Sequence, residues 1–170
     1  FAPVFNVAVA FIDRHIDEGR AAKVAIRSTA RADVTYGELA LNVNRCGNVL
    51  KSLGIGQGER MLMVVQDRPE FFYLFWGAIK AGIVPVPVNT LLRAADYRFL
   101  IEDSGCAAVV YFPDIAAEVD EALAAAGRRP DHALPTDGAG SILARMEDAP
   151  AVLDPAPARA TDECFWLYTS

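Results

Sequence analysis

Arg60-Met61-Leu62-Met63-Val64-Val65-Gln66-Asp67-Arg68-Pro69-Glu70 opens the stretch that decides the fold, and Gly82-Ile83-Val84-Pro85-Val86-Pro87-Val88 closes it. The apolar run Met61 to Val65 is continuous rather than alternating, which marks a strand covered on both faces. Asp67 and Glu70 have the D-x-x-E spacing of a capping box, with Pro69 in the first turn, so a helix is expected to start there. Through Phe71, Phe72, Tyr73, Leu74, Phe75 and Trp76 that helix is apolar nearly all round, so both its sides should be covered. Gly82 stops it, and a second continuous apolar run follows from Val84 to Val88. Strand, helix and strand in this order form a βαβ unit of a parallel sheet.

The same alternation extends toward the C-terminus. A helix from about Arg93 to Asp103 precedes Gly105, and Ala108 to Phe112 reads as a strand. Ile115, Val119, Ala122, Leu123 and Ala126 share one face of a further helix, expected to end at Gly127. His132 to Leu134 is the next strand. Toward the N-terminus, Asn6 caps a helix that ends before Gly19. Lys23 to Arg27 and Asp33 to Tyr36 form a small hairpin. Thr35 and Glu38 form a T-x-x-E capping box for a helix with Leu39, Val43, Cys46, Leu50 and Leu53 on one face. The fold class is therefore α/β, with a mainly parallel sheet flanked by helices. Residues 1–135 make an α/β subdomain. Residues 136–163, rich in Pro, Ala, Gly and Asp, make a linker with a short helix near Ile142 to Met146. Residues 164–170 hold a last strand, Cys164 to Tyr168.

A chain of 170 residues, 53% apolar and 22% charged, can bury one sizeable core. The net charge of −6 and the absence of a Lys/Arg block argue against nucleic acid or an anionic membrane as partner. The apolar run after Glu70 is broken at Lys80, short of the ~18 residues of a membrane span. Asp13, Asp17 and Glu18 near the N-terminus do not fit a secretory leader. Cys46, Cys106 and Cys164 are odd in number and widely spaced, so they suggest small buried hydrophobes in a reducing compartment.

Few residues carry chemistry by pattern alone. His15 and His132 lack metal-ligand spacing, and Glu102 and Asp103 adjoin on a helix and read as a solvated end. Thr136 to Ser141 is glycine-rich but lacks a lysine and a following strong helix. Thr169-Ser170 after a strand supplies two hydroxyls where a phosphate-binding loop would begin, which by itself is equally a polar strand end. The aromatic helix reads as core between the sheet and a neighbouring domain, with an aromatic substrate pocket as the alternative.

Three motifs together carry a resemblance. Thr35-Tyr36-Gly37-Glu38-Leu39, Trp76 through Lys80 to Pro87, and Tyr168-Thr169-Ser170 resemble the front third of an adenylate-forming ligase, where Tyr-Thr-Ser opens a Ser/Thr/Gly-rich loop that cradles the phosphates of ATP. Phe11 to His15, Arg68 to Phe71, Val88 to Leu92 and Tyr97 to Ser104 are most similar to aryl-CoA ligases of the benzoate or hydroxybenzoate type. The resemblance implies part of the large N-terminal domain of such an enzyme, with ATP, Mg²⁺ and coenzyme A as cofactors of the parent. It implies an aryl carboxylate as substrate, Thr169 and Ser170 at the start of the phosphate loop, and a cytoplasmic location. No catalytic or metal-ligating residue is implied within the chain, and a homodimer is left open. Where relatives have Asn-Pro-Arg, this chain has Asn89-Thr90-Leu91, so a coenzyme A contact is not carried onto Leu91, and Arg93 reads as a surface charge at a helix start. The 170 residues alone are expected to be inactive. Three other readings stay open: an acyl-CoA ligase for another carboxylic acid, a free-standing nucleotide-binding module, for which Val65 to Pro69 is a poor phosphate loop, and an interaction domain presenting the Phe71 to Trp76 helix.

Overall fold

The computed structural model describes residues 4–29 and 31–169. A five-residue π-helical turn, Val9–Asp13, runs into the short helix α1 (Arg14–Asp17). The strands β1 (Val24–Ile26) and β2 (Val34–Thr35) pair antiparallel as the expected hairpin. Then follow α2 (Tyr36–Ser52), β3 (Arg60–Val64), α3 (Pro69–Ala81), β4 (Val84–Pro87) and α4 (Ala94–Ser104). The strand β5 (Ala108–Tyr111), a 3₁₀ turn at Pro113–Ile115, α5 (Ala116–Ala125), β6 (His132–Pro135) and α6 (Ile142–Glu147) complete the order.

The four strands expected from the apolar runs form one sheet in the order β4-β3-β5-β6, parallel throughout. Period-2 geometry sends alternate side chains to opposite faces. Met61, Met63 and Val110 meet α2, α3 and α6 on one side, while Leu62, Val64 and Val109 meet α4 and α5 on the other. All six of these residues are completely buried, which is why their runs read as continuous rather than alternating.

Local signals explain most element ends. The Thr35–Glu38 capping box forms as expected. Gly82 (φ 82°) and Gly105 (φ 55°) close α3 and α4 in the left-handed conformation, which costs glycine no Cβ clash. Three expectations need correction. Asp67 does not cap α3: Pro69 occupies the first helical position, so Arg68 is held extended as the cap residue. The helix α5 ends at an extended Ala126 rather than at Gly127, whose N–H is taken by the Glu102 carboxylate at 2.8 Å. The N-terminal helix winds through a π turn, with Arg14 N–H bonded to Val9 O, and nothing in the residue pattern separates that spacing from an α-helical one.

Residues 136–163 pack closely against the domain. Ile142, Met146 and Leu153 enter the core under α2 and α3, and Asn44 and Asn48 of α2 donate to the carbonyls of Ala151, Pro150 and Val152. The aromatic helix α3 is covered less evenly than its sequence suggests. Leu74 is wholly buried and Trp76 stacks on Phe11 at 5.3 Å, yet Phe72 is 37% exposed.

Candidate functional site

Cys164 to Tyr168 was expected to be a strand, and the structure corrects this. The segment runs extended along the outer edge of β4 with one backbone hydrogen bond to it, Trp166 N–H to Pro85 O at 3.1 Å. The cause is in β4 itself. Val84 and Val88 donate to Glu59 O and Met63 O, so the odd positions between them face outward. Those positions are Pro85 and Pro87, which have no N–H, so this edge offers only acceptors and no ladder can build on it.

Side chains hold the segment instead, alternately from the two faces of the sheet. Phe165 packs on Phe75 of α3, ring centroids 5.5 Å apart. Trp166 lies under the Arg60 guanidinium, 5.5 Å from ring centre to Cζ. Tyr168 donates its hydroxyl to Asp103 Oδ2 of α4 at 2.7 Å. Partial burial and the Asp103 carboxylate both raise the Tyr168 pKa, so the phenol stays protonated and donating. Thr169 is exposed at the end of this run, and Ser170 lies outside the described residues.

The other two motifs are built into the scaffold. Thr35 and Glu38 satisfy each other's backbone N–H groups at the start of α2, which lowers the Glu38 pKa through hydrogen bonding. Lys80, 3% exposed, places Nζ 2.7 Å from both Asp13 Oδ1 and Asn44 Oδ1, tying the N-terminal turn, α2 and α3 together. Its carbonyl accepts from Ala156 N–H and Asn6 Nδ2.

A cavity of about 600 Å³ opens where Gly82–Val84 meets Phe5, Val7 and the turn that follows Ala158. Asn6 on its wall donates to the carbonyls of Ile79, Lys80 and Ala156, so its amide is already committed. The remaining residues singled out by sequence lie apart. His15 stacks on Tyr36 at 3.9 Å and accepts from Arg20 Nε, while His132 Nε2 meets Leu53 O at 2.8 Å. Cys46 and Cys106 are buried with raised pKa values, chiefly by desolvation, and Cys164 is partly buried. Leu91 is 84% exposed, and Arg93 pairs with Glu118 at 3.1 Å at the start of α4. Ser141 caps the short α6 with its hydroxyl. Glu102 and Asp103 are exposed, as expected of a solvated helix end, and each also accepts a tertiary hydrogen bond, from Gly127 and Tyr168.

A model of the AMP-binding enzymes matches residues 13–170. The chain belongs to the AMP-binding enzymes. It is 39% identical to the 4-hydroxybenzoate–CoA/benzoate–CoA ligase of Rhodopseudomonas palustris, over 98% of this chain and 31% of that protein. It is 37% identical to the benzoate–CoA ligase of Thauera aromatica, over 98% of this chain and 32% of that one. Its fold superposes on the benzoate CoA ligase of Burkholderia xenovorans LB400 with a TM-score of 0.87 at 33% identity, covering 97% of this chain and 33% of that one. An anthranilate CoA ligase, AuaEII, in complex with anthranoyl-AMP superposes with a TM-score of 0.92 at 25% identity, covering all of this chain and 32% of that one. The chain spans about a third of the length of these relatives.

The described residues form a parallel sheet flanked by helices, with the Cys164 to Tyr168 segment along the edge of β4. Among them no group of three or more His, Cys, Asp or Glu side chains is placed to hold a metal ion. Sequence reading missed the contacts that Asp103 and Arg60 make with Tyr168 and Trp166 of this segment. The available signals were the alternate prolines of β4 and two acids in the last turn of α4, where the helix dipole disfavours them.

Proposed function

We propose that the chain is the N-terminal part of an ATP-dependent aryl-CoA ligase acting on benzoate or a hydroxybenzoate. The observation that carries this reading is the 39% identity, over 98% of the chain, to a 4-hydroxybenzoate–CoA/benzoate–CoA ligase. A carboxylate does not react with a thiol at neutral pH, because its oxygen is a poor leaving group. In the proposed reaction a carboxylate oxygen attacks the α-phosphorus of ATP and pyrophosphate leaves. The thiol sulfur of coenzyme A then attacks the acyl carbon, AMP leaves, and the thiol proton is released. Both steps depend on positioning and on donors that meet the phosphate charge.

In this reading Thr169 and Ser170 begin the phosphate loop, residues 1–135 are the α/β subdomain, and 136–163 connect it to residues 164–170, which lead into the loop. Mg²⁺ travels with ATP, and the enzyme works in the cytoplasm. The 170 residues alone are inactive, because a phosphate site needs several convergent donors.

The test is pyrophosphate release by the full-length protein with ATP, Mg²⁺, coenzyme A and each candidate acid. Turnover with benzoate or hydroxybenzoate is expected. Turnover with long-chain fatty acids alone would overturn the aryl assignment, an outcome with a ready relative in a Mycobacterium tuberculosis long-chain-fatty-acid–CoA ligase, 36% identical over 81% of this chain.

A further inference from the structure

We propose that Asp103 and Arg60 are positioning residues that fix the chain as it enters the phosphate loop, acting through Tyr168 and Trp166. The proposal rests on Thr169 and Ser170 opening that loop. A strand normally takes its place from a ladder of backbone hydrogen bonds, which sets both register and direction. Here the ladder is unavailable. The outward positions of β4 are Pro85 and Pro87, and Trp166 N–H to Pro85 O is the single backbone bond between the two segments. One bond leaves the segment free to pivot about Trp166. A second fixed point further along is needed to aim the residues that follow.

Tyr168 provides that point. It lies immediately before Thr169, and its hydroxyl reaches Asp103 Oδ2 at 2.7 Å. Arg60 anchors the other end, with its guanidinium facing the Trp166 ring. The two anchors share a base. Arg60 Nε donates to Ser104 O at 2.8 Å and Nη2 to Gly105 O at 3.3 Å, so Arg60 caps the end of the helix that carries Asp103. A carboxylate at Asp103 opposes the dipole of α4. Its placement does nothing for that helix, and Tyr168 is the group it serves.

The experiment uses the full-length protein and measures pyrophosphate release in Tyr168→Phe, Asp103→Ala, the double variant, and Asp103→Asn, which keeps an acceptor oxygen. For Tyr168→Phe and Asp103→Ala the expected result is a rise of about three- to tenfold in KM for ATP. The KM for the carboxylate should stay within about twofold, and Tm within about 2 °C. The double variant should be no worse than either single one, because both remove the same bond. Asp103→Asn should recover most of the loss. Hydrogen exchange at the Trp166 and Tyr168 amides of Tyr168→Phe should quicken while β3 and β5 stay protected. An unchanged KM for ATP in an active protein would overturn the positioning role alone, as would equal losses for both substrates together with a lower Tm. A wild-type protein that releases no pyrophosphate with any acid would overturn the proposed function and this inference with it.

Discussion

Lys80 shows how a residue inside a family motif can be structural. It is buried to 3% exposure, and its charge is met by the Asp13 carboxylate and the Asn44 amide oxygen. Removing one member of a buried pair leaves the other uncompensated, although Asp13 is 24% exposed and keeps some water. Lys80→Met should therefore cost about 2–3 kcal/mol in urea unfolding, and Lys80→Met with Asp13→Asn should recover roughly half of it. His15 gives a pH dependence. Partial burial lowers its pKa first, and the Arg20 and Arg14 charges lower it further, against a smaller opposing effect of Glu18. The folded state then binds fewer protons than the unfolded chain below the ordinary value of 6.5. Stability should be full above that pH and fall as pH drops through the window just below it. Melting curves from pH 7.5 to 5 should show this fall. His15→Phe, which keeps the stack on Tyr36 without a titrating ring, should reduce it.

At the scale of elements, α2 and α3 approach closely at Gly47 and Gly77. A Cβ built on Gly77 would lie 2.8 Å from Cys46 Cβ and 3.0 Å from Val43 O, and one on Gly47 would lie 2.9 Å from Gly77 O and against the Leu153 side chain. Alanine favours a helix over glycine by about 1 kcal/mol, but neither helix backbone can yield cheaply. Overpacking should win: Gly77→Ala is expected to destabilise by about 1–2 kcal/mol in denaturant unfolding, whereas an exposed helical Gly→Ala change would stabilise. The same pair of helices buries Cys46, Val49 and Leu74 against Met61 and Met63 of the sheet. Each such side chain contributes about 1.5–3 kcal/mol on burial, so a forced shift of the crossing disturbs several of them together.

For the molecule as a whole, the described residues form a three-layer scaffold, with Thr169 exposed after the Cys164 to Tyr168 segment. Isothermal titration of the 170-residue chain with ATP and Mg²⁺ should show no binding tighter than about millimolar, because one or two hydroxyls cannot offset the desolvation of a polyphosphate. Micromolar binding would restore the free-standing nucleotide module. No described helix is long and apolar enough to cross a membrane. Of the exposed large apolar side chains, Phe72 lies on α3 and Phe11 and Phe165 pack beside it, while Leu91, Phe99 and Val152 lie elsewhere.

The sequence by itself determined the parallel sheet and its helices. Continuous runs such as Met61 to Val65, the Thr35–Glu38 box and the stops at Gly82 and Gly105 are local signals, each set by neighbours within one turn or one strand. The motifs that carry the family likeness were legible in the same way, because they are contiguous. What only the tertiary structure decided are partnerships across distance: Lys80 with Asp13 and Asn44, Glu102 with Gly127, Tyr168 with Asp103, and Trp166 with Arg60. Asp103 looks in sequence like any acid at a helix end, and nothing within a turn of it shows the phenol it will meet. The fate of Cys164 to Tyr168 turned on the same difference. The residues suit a strand, but the neighbouring edge presents Pro85 and Pro87, and a strand exists only where its neighbour can donate as well as accept.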